Sequence, residues 1–262
     1  MAGLPERLSR AAATSLLAGV VGGAALLAGE LLAAKARRYA KPTMGLALRT
    51  SMGPQSAPPL RLVLLGDSAA VGVGVEWLSE TVGGQLAQLL ADGSPETGQR
   101  HVLLSSVGVA GSRSSDLATQ VARALLGDRP DVAVVLIGSY DAATGRSPED
   151  AASDLGQAVR RLRAAGVQVV VGTCPDLGAA RSMAPPLRQI AGLVGRRLAK
   201  AQAKAVAEAG GVVVDLAAET GAVFRADAGT LCYDGFHPSA DGYRVWAHAL
   251  YPAVARAAMS GV

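Results

Sequence analysis

The sequence predicts an α/β domain in which helices cover both faces of a parallel sheet. Five short apolar runs rich in β-branched residues follow one another along the chain, each the length of a strand. Segments of helical spacing lie between and after them, and this alternation is typical of a parallel sheet with right-handed crossovers. Of the 262 residues 50% are hydrophobic but only 3% aromatic, which suits helices packed closely on a sheet better than an aromatic-rich β-sandwich.

The predicted elements lie between residues 60 and 258. Strands are expected at residues 60–65, 102–107, 132–137, 167–171 and 212–216. Helices are expected near residues 82–90, 116–126, 148–165, 186–209 and 240–258. Residues 42–59 are rich in proline and glycine without periodicity, which indicates a linker. The chain is thus expected to divide into an N-terminal segment (1–41), a linker (42–59) and a folded domain (60–262).

The charge distribution argues against nucleic-acid binding. The formal net charge is +4, but residues 1–41 hold six of the 25 basic residues and only two of the 21 acidic ones. The remainder of the chain is therefore neutral and has no basic stripe of the kind that binds a phosphate backbone. The two cysteines, Cys174 and Cys232, are too few for a disulfide framework and lack the spacing of a zinc or redox motif.

The N-terminal segment has the composition of a membrane span. Residues 11–29 carry no charge, and about 20 such residues in a helix cross a bilayer core. A retained anchor that contacts the membrane through residues 11–34 is favoured over a signal peptide, whose apolar region is usually only about 7 to 15 residues long. Gly19 and Gly23 form a GxxxG pair, so a homodimer through the span is a further hypothesis.

The charges that flank this segment bear on its orientation. Four basic residues follow residues 11–29, whereas Arg7, Arg10 and the amino terminus precede them, and the more basic side tends to stay cytoplasmic. This favours a cytoplasmic domain anchored by a single N-terminal span. A signal anchor, with the domain outside the membrane, is the alternative.

Residues with catalytic potential follow the predicted strands, where parallel sheets gather their chemistry. The first strand ends in Gly66, Asp67 and Ser68, and Asp234 and His237 precede the last helix. A serine hydroxyl attacks poorly unless a base removes its proton, and a neutral histidine needs an acceptor on its other nitrogen. Ser68, His237 and Asp234 are therefore the candidate nucleophile, base and orienting acid.

Four stretches of this sequence resemble the conserved blocks of the SGNH (GDSL-like) hydrolase superfamily. The first is LVLLGDSAAVGVG, which contains Ser68, and the second is SSVGVAGSRSSDL, which contains Gly111. The third is VVLIGSYDAATG, which contains Tyr140, and the last is DGFHPSADGY, which contains Asp234 and His237. The blocks occur in the family's order, and the resemblance extends over about residues 60–258.

The resemblance implies a three-layer α/β/α, flavodoxin-like fold with a parallel five-stranded sheet. It also implies hydrolysis of carboxyl esters or thioesters without a metal or cofactor, with Ser68, His237 and Asp234 as the triad. The amides of Ser68 and Gly111 would be oxyanion donors, with Gly108 as the alternative register for Gly111. The layout is similar to that of actinobacterial members with an N-terminal hydrophobic segment.

One position departs from the family pattern. Tyr140 stands where the third block, usually GxND, has an asparagine whose side chain donates to the oxyanion. Loss of one such donor typically costs on the order of 10²- to 10³-fold in rate. Three classes of function therefore stay open: a serine esterase or lipase-like acylhydrolase, an acyltransferase with the same triad, and a weakly active or noncatalytic membrane-tethered binding protein.

The same residues also permit simpler interpretations. Ser68 or Asp67 could cap the N-terminus of a helix, a frequent role for both residue types. Cys174 follows a predicted strand and could be a nucleophile, although such a cysteine is more often a small buried hydrophobic residue. Gly72 and Gly74 form a GxG without the third glycine of a dinucleotide site, and the GxSxG of an α/β-hydrolase elbow is absent.

Overall fold

The computed structural model of the protein describes residues 23, 25–30, 32 and 49–260. The strands are β1 (Arg49–Met52), β2 (Pro59–Gly66), β3 (His101–Ser106), β4 (Val132–Leu136), β5 (Gln168–Gly172) and β6 (Val212–Val214). The helices of the domain are α1 (Val82–Asp92), α2 (Leu117–Ala124), α3 (Ser139–Ala143), α4 (Pro148–Ala164), α5 (Leu187–Glu208), α6 (Leu216–Ala226) and α7 (Ala240–Met259). Single turns of 3₁₀ helix occupy Leu78–Glu80, Ser114–Asp116, Leu177–Ala179 and Ala228–Thr230.

The strands form a single mixed sheet in the order β1-β3-β2-β4-β5-β6. Strands β2 to β6 are parallel, and β1 runs antiparallel to β3, with Arg49 opposite Ser105 and Met52 opposite Val102. The predicted α/β class is thus confirmed. The predicted count of five strands, all parallel, is corrected to six among the described residues. The sixth is β1, which lies inside the stretch 42–59 that composition assigns to a linker.

The two sheet faces bury separate apolar clusters. In β2, Leu62 and Leu64 face a cluster formed with α1 and α7, whereas Val63 and Leu65 face one formed with α2, α4 and α5. Successive strand residues point to opposite faces, so a strand covered on both sides must be apolar throughout. All five residues of β4 are buried accordingly. This two-sided burial explains why continuous apolar runs mark the strands in the sequence.

Two helices lie outside the predicted set. Two residues separate the end of β4 from helix α3, which begins at Ser139. Helix α6 begins at Leu216, a residue that the apolar pattern assigns to a strand. Asp215 ends that strand because its carboxylate accepts the amide of Ala218 (3.0 Å) and so caps α6. Phe224 of α6 then packs against Trp246 of α7, with ring centroids 5.7 Å apart.

Two buried glutamine side chains form hydrogen bonds with backbone amides and carbonyls where the strands end. Gln120 of α2 accepts from the amide of Gly66 (2.7 Å) and donates to its carbonyl (2.9 Å). Gln202 of α5 accepts from the amide of Cys174 (2.7 Å) and donates to the carbonyl of Ile137 (2.9 Å). Buried backbone groups without partners are costly, so these side chains satisfy the strand ends beyond the ladder. They fix the edge of the sheet that carries Ser68.

The predicted membrane location is corrected by the structure. Within residues 23, 25–30, 32 and 49–260, no helix combines the length and the apolar character that a bilayer crossing needs. The prediction of a protein held at a membrane by one N-terminal span is contradicted on this finding. Most of the apolar run, residues 11–22 and residue 24, lies outside the described residues, as does Gly19 of the GxxxG pair.

Candidate active site

Ser68 lies in a tight turn directly after β2. The amide of Asp67 donates to the carbonyl of Leu136 at the end of β4 (3.0 Å), and the amide of Val73 donates to the carbonyl of Ser68 (3.0 Å). Ser68 does not cap a helix. The first α-helix that follows it is α1, and the N-cap of α1 is Thr81. Within the described residues, neither the hydroxyl nor the amide of Ser68 has a hydrogen-bond partner. The half-buried side chain of Ser68 is therefore held in place by its backbone, and its hydroxyl makes no hydrogen bond with the described residues.

Asp234 and His237 form a hydrogen-bonded pair in the loop before α7. His237 Nδ1 lies 2.5 Å from Asp234 Oδ2, and Asp234 Oδ1 accepts the amides of Phe236 (2.8 Å) and His237 (2.9 Å). Burial alone would raise the pKa of Asp234, but bonds from the His237 ring and the Phe236 amide outweigh it and hold the pKa well below its usual range. The carboxylate is thus ionised at neutral pH. Its contact with Nδ1 leaves Nε2 of His237 without a hydrogen-bond partner among the described residues.

Packing holds the histidine loop against the serine turn. The buried hydroxyl of Tyr243, in the first turn of α7, donates to the carbonyl of Val73 (2.7 Å). A Cβ on Gly74 would lie 2.4 Å from the carbonyl oxygen of Pro238 and 3.3 Å from the Cβ of His237, so only glycine permits this approach. As a result, Ser68 and His237 line the same cavity of about 40 Å³.

Asp67, beside the candidate nucleophile, is a buried carboxyl group with one unpaired oxygen. Its side chain also lines the cavity and is 3% exposed; Oδ1 accepts from the amide of Ala69 (3.1 Å), whereas Oδ2 has no partner within the described part of the chain. Burial raises the pKa of Asp67 to about 6, and the nearby charge of Asp141 adds to the rise. A protonated Asp67 is therefore substantially populated below about pH 6.

The two candidate oxyanion glycines differ in how their amides are used. The amide of Gly108 donates to the hydroxyl of Ser106 (3.2 Å), and a Cβ there would lie 2.9 Å from the Cβ of Ala70. Gly111 has a φ of +80°, and a Cβ at this position would meet nothing within 4 Å. The amide of Gly111 has no acceptor among the described residues. Gly108 is thus a packing glycine, whereas Gly111 presents a free donor in open space.

Tyr140 lies at the surface and not in the cavity. Tyr140 is 43% exposed. The guanidinium carbon of Arg113 lies over its ring, 5.4 Å from the ring centre. Its neighbour Ser139, the first residue of α3, lines the cavity with Ser68. Asp141 is fully buried and accepts the amide and the hydroxyl of Ser114, both at 2.9 Å. Asp141 thereby ties α3 to the loop that carries Gly111.

The structure thus brings Ser68, His237 and Asp234 together and leaves Tyr140 apart from them. Sequence reasoning placed Ser139 at the end of the third predicted strand but gave it no role. It also gave no role to Asp141. Cys174 is fully buried, and this burial raises the pKa of its thiol well above the usual value, so it stays protonated. That protonation argues against Cys174 as a nucleophile.

The sequence comparisons place the chain in a family. The profile of the GDSL-like Lipase/Acylhydrolase family matches residues 64–245, so the chain belongs to that family. The chain is also similar to the GDSL-like esterase Rv1075c of Mycobacterium tuberculosis (strain ATCC 25618 / H37Rv), at 40% identity over 197 residues. That alignment covers 74% of this chain and 62% of the relative, so the chain spans less than two thirds of that protein's length.

Solved structures share the fold. A member of the lipolytic protein G-D-S-L family from Veillonella parvula DSM 2008 matches with a TM-score of 0.59 and 17% identity, over 75% of this chain and 99% of that one. The lipase/acylhydrolase from Enterococcus faecalis matches with a TM-score of 0.58 and 20% identity, over 75% and 96% of the two chains. At these identities the likeness concerns the fold alone.

Proposed function

We propose that the protein is a carboxylic ester hydrolase in which Ser68 is the nucleophile, His237 the base and Asp234 the residue that orients the base. The observation that carries this proposal is the Asp234–His237 hydrogen bond at the wall of the cavity that Ser68 also lines. Membership of the acylhydrolase family supports it, as does the similarity to a protein described as an esterase.

The proposed reaction proceeds through an acyl-enzyme. Ser68 Oγ attacks the ester carbonyl while its proton passes to His237 Nε2, and His237 then gives that proton to the departing alkoxide. In a second round water attacks the acyl-Ser68 ester and loses its proton to His237. His237 then returns that proton to Ser68 Oγ as the acyl–oxygen bond breaks, and the acid leaves. The ionised Asp234 stabilises the imidazolium that forms in each round.

Two backbone donors are proposed for the oxyanion. The amides of Ser68 and Gly111 have no acceptors within the described part of the chain and so are free to bind the developing negative charge. The exposed position of Tyr140 supports a site with weaker oxyanion stabilisation than the asparagine of the usual GxND pattern would give. A slow esterase is therefore expected.

A covalent label tests the nucleophile. A fluorophosphonate probe is expected to modify the protein at Ser68, identified by peptide mass, because it reacts with serines activated by a base. Ser68→Ala should take up no label and lose hydrolysis of an activated short-chain ester. The matched control is Ser139→Ala, which removes another hydroxyl of the same cavity and should leave the label on Ser68. Labelling of Ser68→Ala at wild-type level would refute the assignment.

Tyr140→Asn is expected to raise kcat on a simple ester by about tenfold. The exposed phenol lies outside the cavity, but its neighbour Ser139 lines it, so the shorter amide could turn inward and supply an oxyanion donor. Since such a bond forms mainly in the transition state, KM should change less than kcat. Tyr140→Phe keeps the ring beneath Arg113 and should behave like the wild type. Initial rates on one ester decide the matter: a slower Tyr140→Asn with a nearly inert Tyr140→Phe would make the phenol itself the donor.

A further inference from the structure

Four arginine side chains line a recess of about 420 Å³ beside the candidate active site. They are Arg181, Arg188, Arg196 and Arg225. Asp176 and Ala179 line both this recess and the cavity of Ser68. The arginine recess and the cavity are therefore neighbours across the single turn Leu177–Ala179.

Only one arginine of the recess is neutralised within the described part of the chain. The side chain of Asp176 is almost wholly buried, and its Oδ2 lies 2.5 Å from Arg225 Nε. Its other oxygen accepts the amide of Gly178 at 3.1 Å. Both carboxylate oxygens are thus already engaged, so Asp176 has little capacity left for a second arginine.

The other three guanidinium groups have no acidic partner among the described residues. Arg181 donates to the carbonyl of Arg225 (3.3 Å), a neutral acceptor, and neither Arg188 nor Arg196 forms an ion pair there. Glu30, whose carboxylate accepts the amide of Leu187 at the start of α5 (3.2 Å), is not paired with them either. Convergent positive charges repel one another, and a bound anion would remove that repulsion.

Two glycines that line the arginine recess, Gly178 and Gly192, are in close contact. A Cβ on Gly192 of α5 would lie 3.1 Å from the Cα of Gly178 and 3.3 Å from Arg196 Nη1. Glycine at both positions lets α5 approach the turn Leu177–Ala179 closely. The guanidinium of Arg196 lies over this contact, where an anion could reach it.

We propose that the arginine recess binds a phosphate group carried by the ester substrate, a few bonds from the scissile ester. The planar guanidinium matches phosphate oxygens in paired hydrogen bonds, and a phosphate has enough oxygens for several arginines at once. The wall shared with the cavity makes the substrate itself the source of this phosphate. This inference rests on the proposed esterase function and adds a substrate class to it.

A matched pair of substrates tests the inference. The esters 1-butanoylglycerol and 1-butanoylglycerol 3-phosphate differ only in the phosphate, so the ratio of their kcat/KM values measures its contribution. The ratio should favour the phosphorylated ester in the wild type and fall about 100-fold in Arg188→Gln/Arg196→Gln, at about tenfold for each charged hydrogen bond. Arg197→Gln is the control, because Arg197 lies on the same helix but lines the groove between α4 and α5. A ratio that stays within about twofold of the wild type in the double variant overturns the proposal.

A binding measurement separates this inference from the proposed function. Calorimetric titration of Ser68→Ala with 1-butanoylglycerol 3-phosphate should show binding that Arg188→Gln/Arg196→Gln, in the same background, loses. The binding measurement does not depend on hydrolysis. If the wild type hydrolysed neither ester, the proposed function would fail, but the titration would still test whether the arginine recess binds the phosphate. Absence of binding overturns the inference. Binding of inorganic phosphate without any preference for the phosphorylated ester also overturns it, because the anion would then not belong to the substrate.

Discussion

Replacing Asp234 with asparagine is expected to lower kcat on an activated ester by about 10⁴-fold, the cost of turning a triad histidine to the wrong tautomer. The asparagine amide would donate to His237 Nδ1, which now lies 2.5 Å from a carboxylate oxygen. The ring proton would then move to Nε2, and His237 could no longer accept the proton of Ser68. KM should change little, because Asp234 takes no part in holding the substrate.

The control for Asp234→Asn lies in the same stretch of chain. Asp241, in the first turn of α7, pairs with Arg244 at the surface (2.5 Å), so Asp241→Asn should leave kcat within about twofold of the wild type. Initial rates of the two variants, with circular dichroism to verify folding, provide the comparison. If Asp234→Asn lost less than about tenfold, the carboxylate would not be orienting the base.

Gly66→Ala is expected to lower the free energy of unfolding by more than about 4 kcal/mol, or to prevent folding, because it forces overlap between two central strands. Gly66 has a φ of +135°, and a Cβ there would lie 1.8 Å from the carbonyl oxygen of Leu136. The overlap cannot be relieved cheaply. The added Cβ is fixed to the backbone of β2 and the carbonyl oxygen belongs to the backbone of β4, and the ends of these two strands are paired. The turn of Ser68 would be displaced as well, so activity should fall with stability.

Urea unfolding measures this effect against a control glycine. Gly98 also has a positive φ (+65°), but nothing lies within 4 Å of a Cβ built there. Gly98→Ala should therefore cost only the strain of the left-handed backbone, about 1 to 2 kcal/mol. If Gly66→Ala and Gly98→Ala lowered the free energy of unfolding equally, the close approach of β2 and β4 would not contribute to the cost of Gly66→Ala.

The sequence predicted the parts of the fold that depend on periodicity. Strands β2 to β5 and helices α5 and α7 lie within a few residues of their predicted bounds, because two-sided burial leaves continuous apolar runs. Strand β1 has only four residues in a proline- and glycine-rich stretch, and it forms because β3 offers a free edge. Helix α6 depends on the Asp215 cap, which outweighs the apolar character of Leu216.

The candidate site was predictable only where its residues are near in sequence. Asp234 and His237 are three positions apart, so one loop could be expected to pair them. No local pattern indicates that Tyr243 bonds the carbonyl of Val73, or that one oxygen of Asp67 is buried without a partner among the described residues. The exposed position of Tyr140 was equally hidden, because it depends on where α3 begins and how Asp141 fixes that helix.

The two glutamines at the strand ends bear on which parts of the site can move. Opening the sheet edge beneath Ser68 would strip Gln120 and Gln202 of partners while the strand-end amides lost theirs, and each buried polar group left alone costs about 1–3 kcal/mol. Such an opening would approach the cost of unfolding the whole domain. Any motion that widens the cavity is therefore expected in other parts of its lining, such as the turn Leu177–Ala179 and the loop of His237.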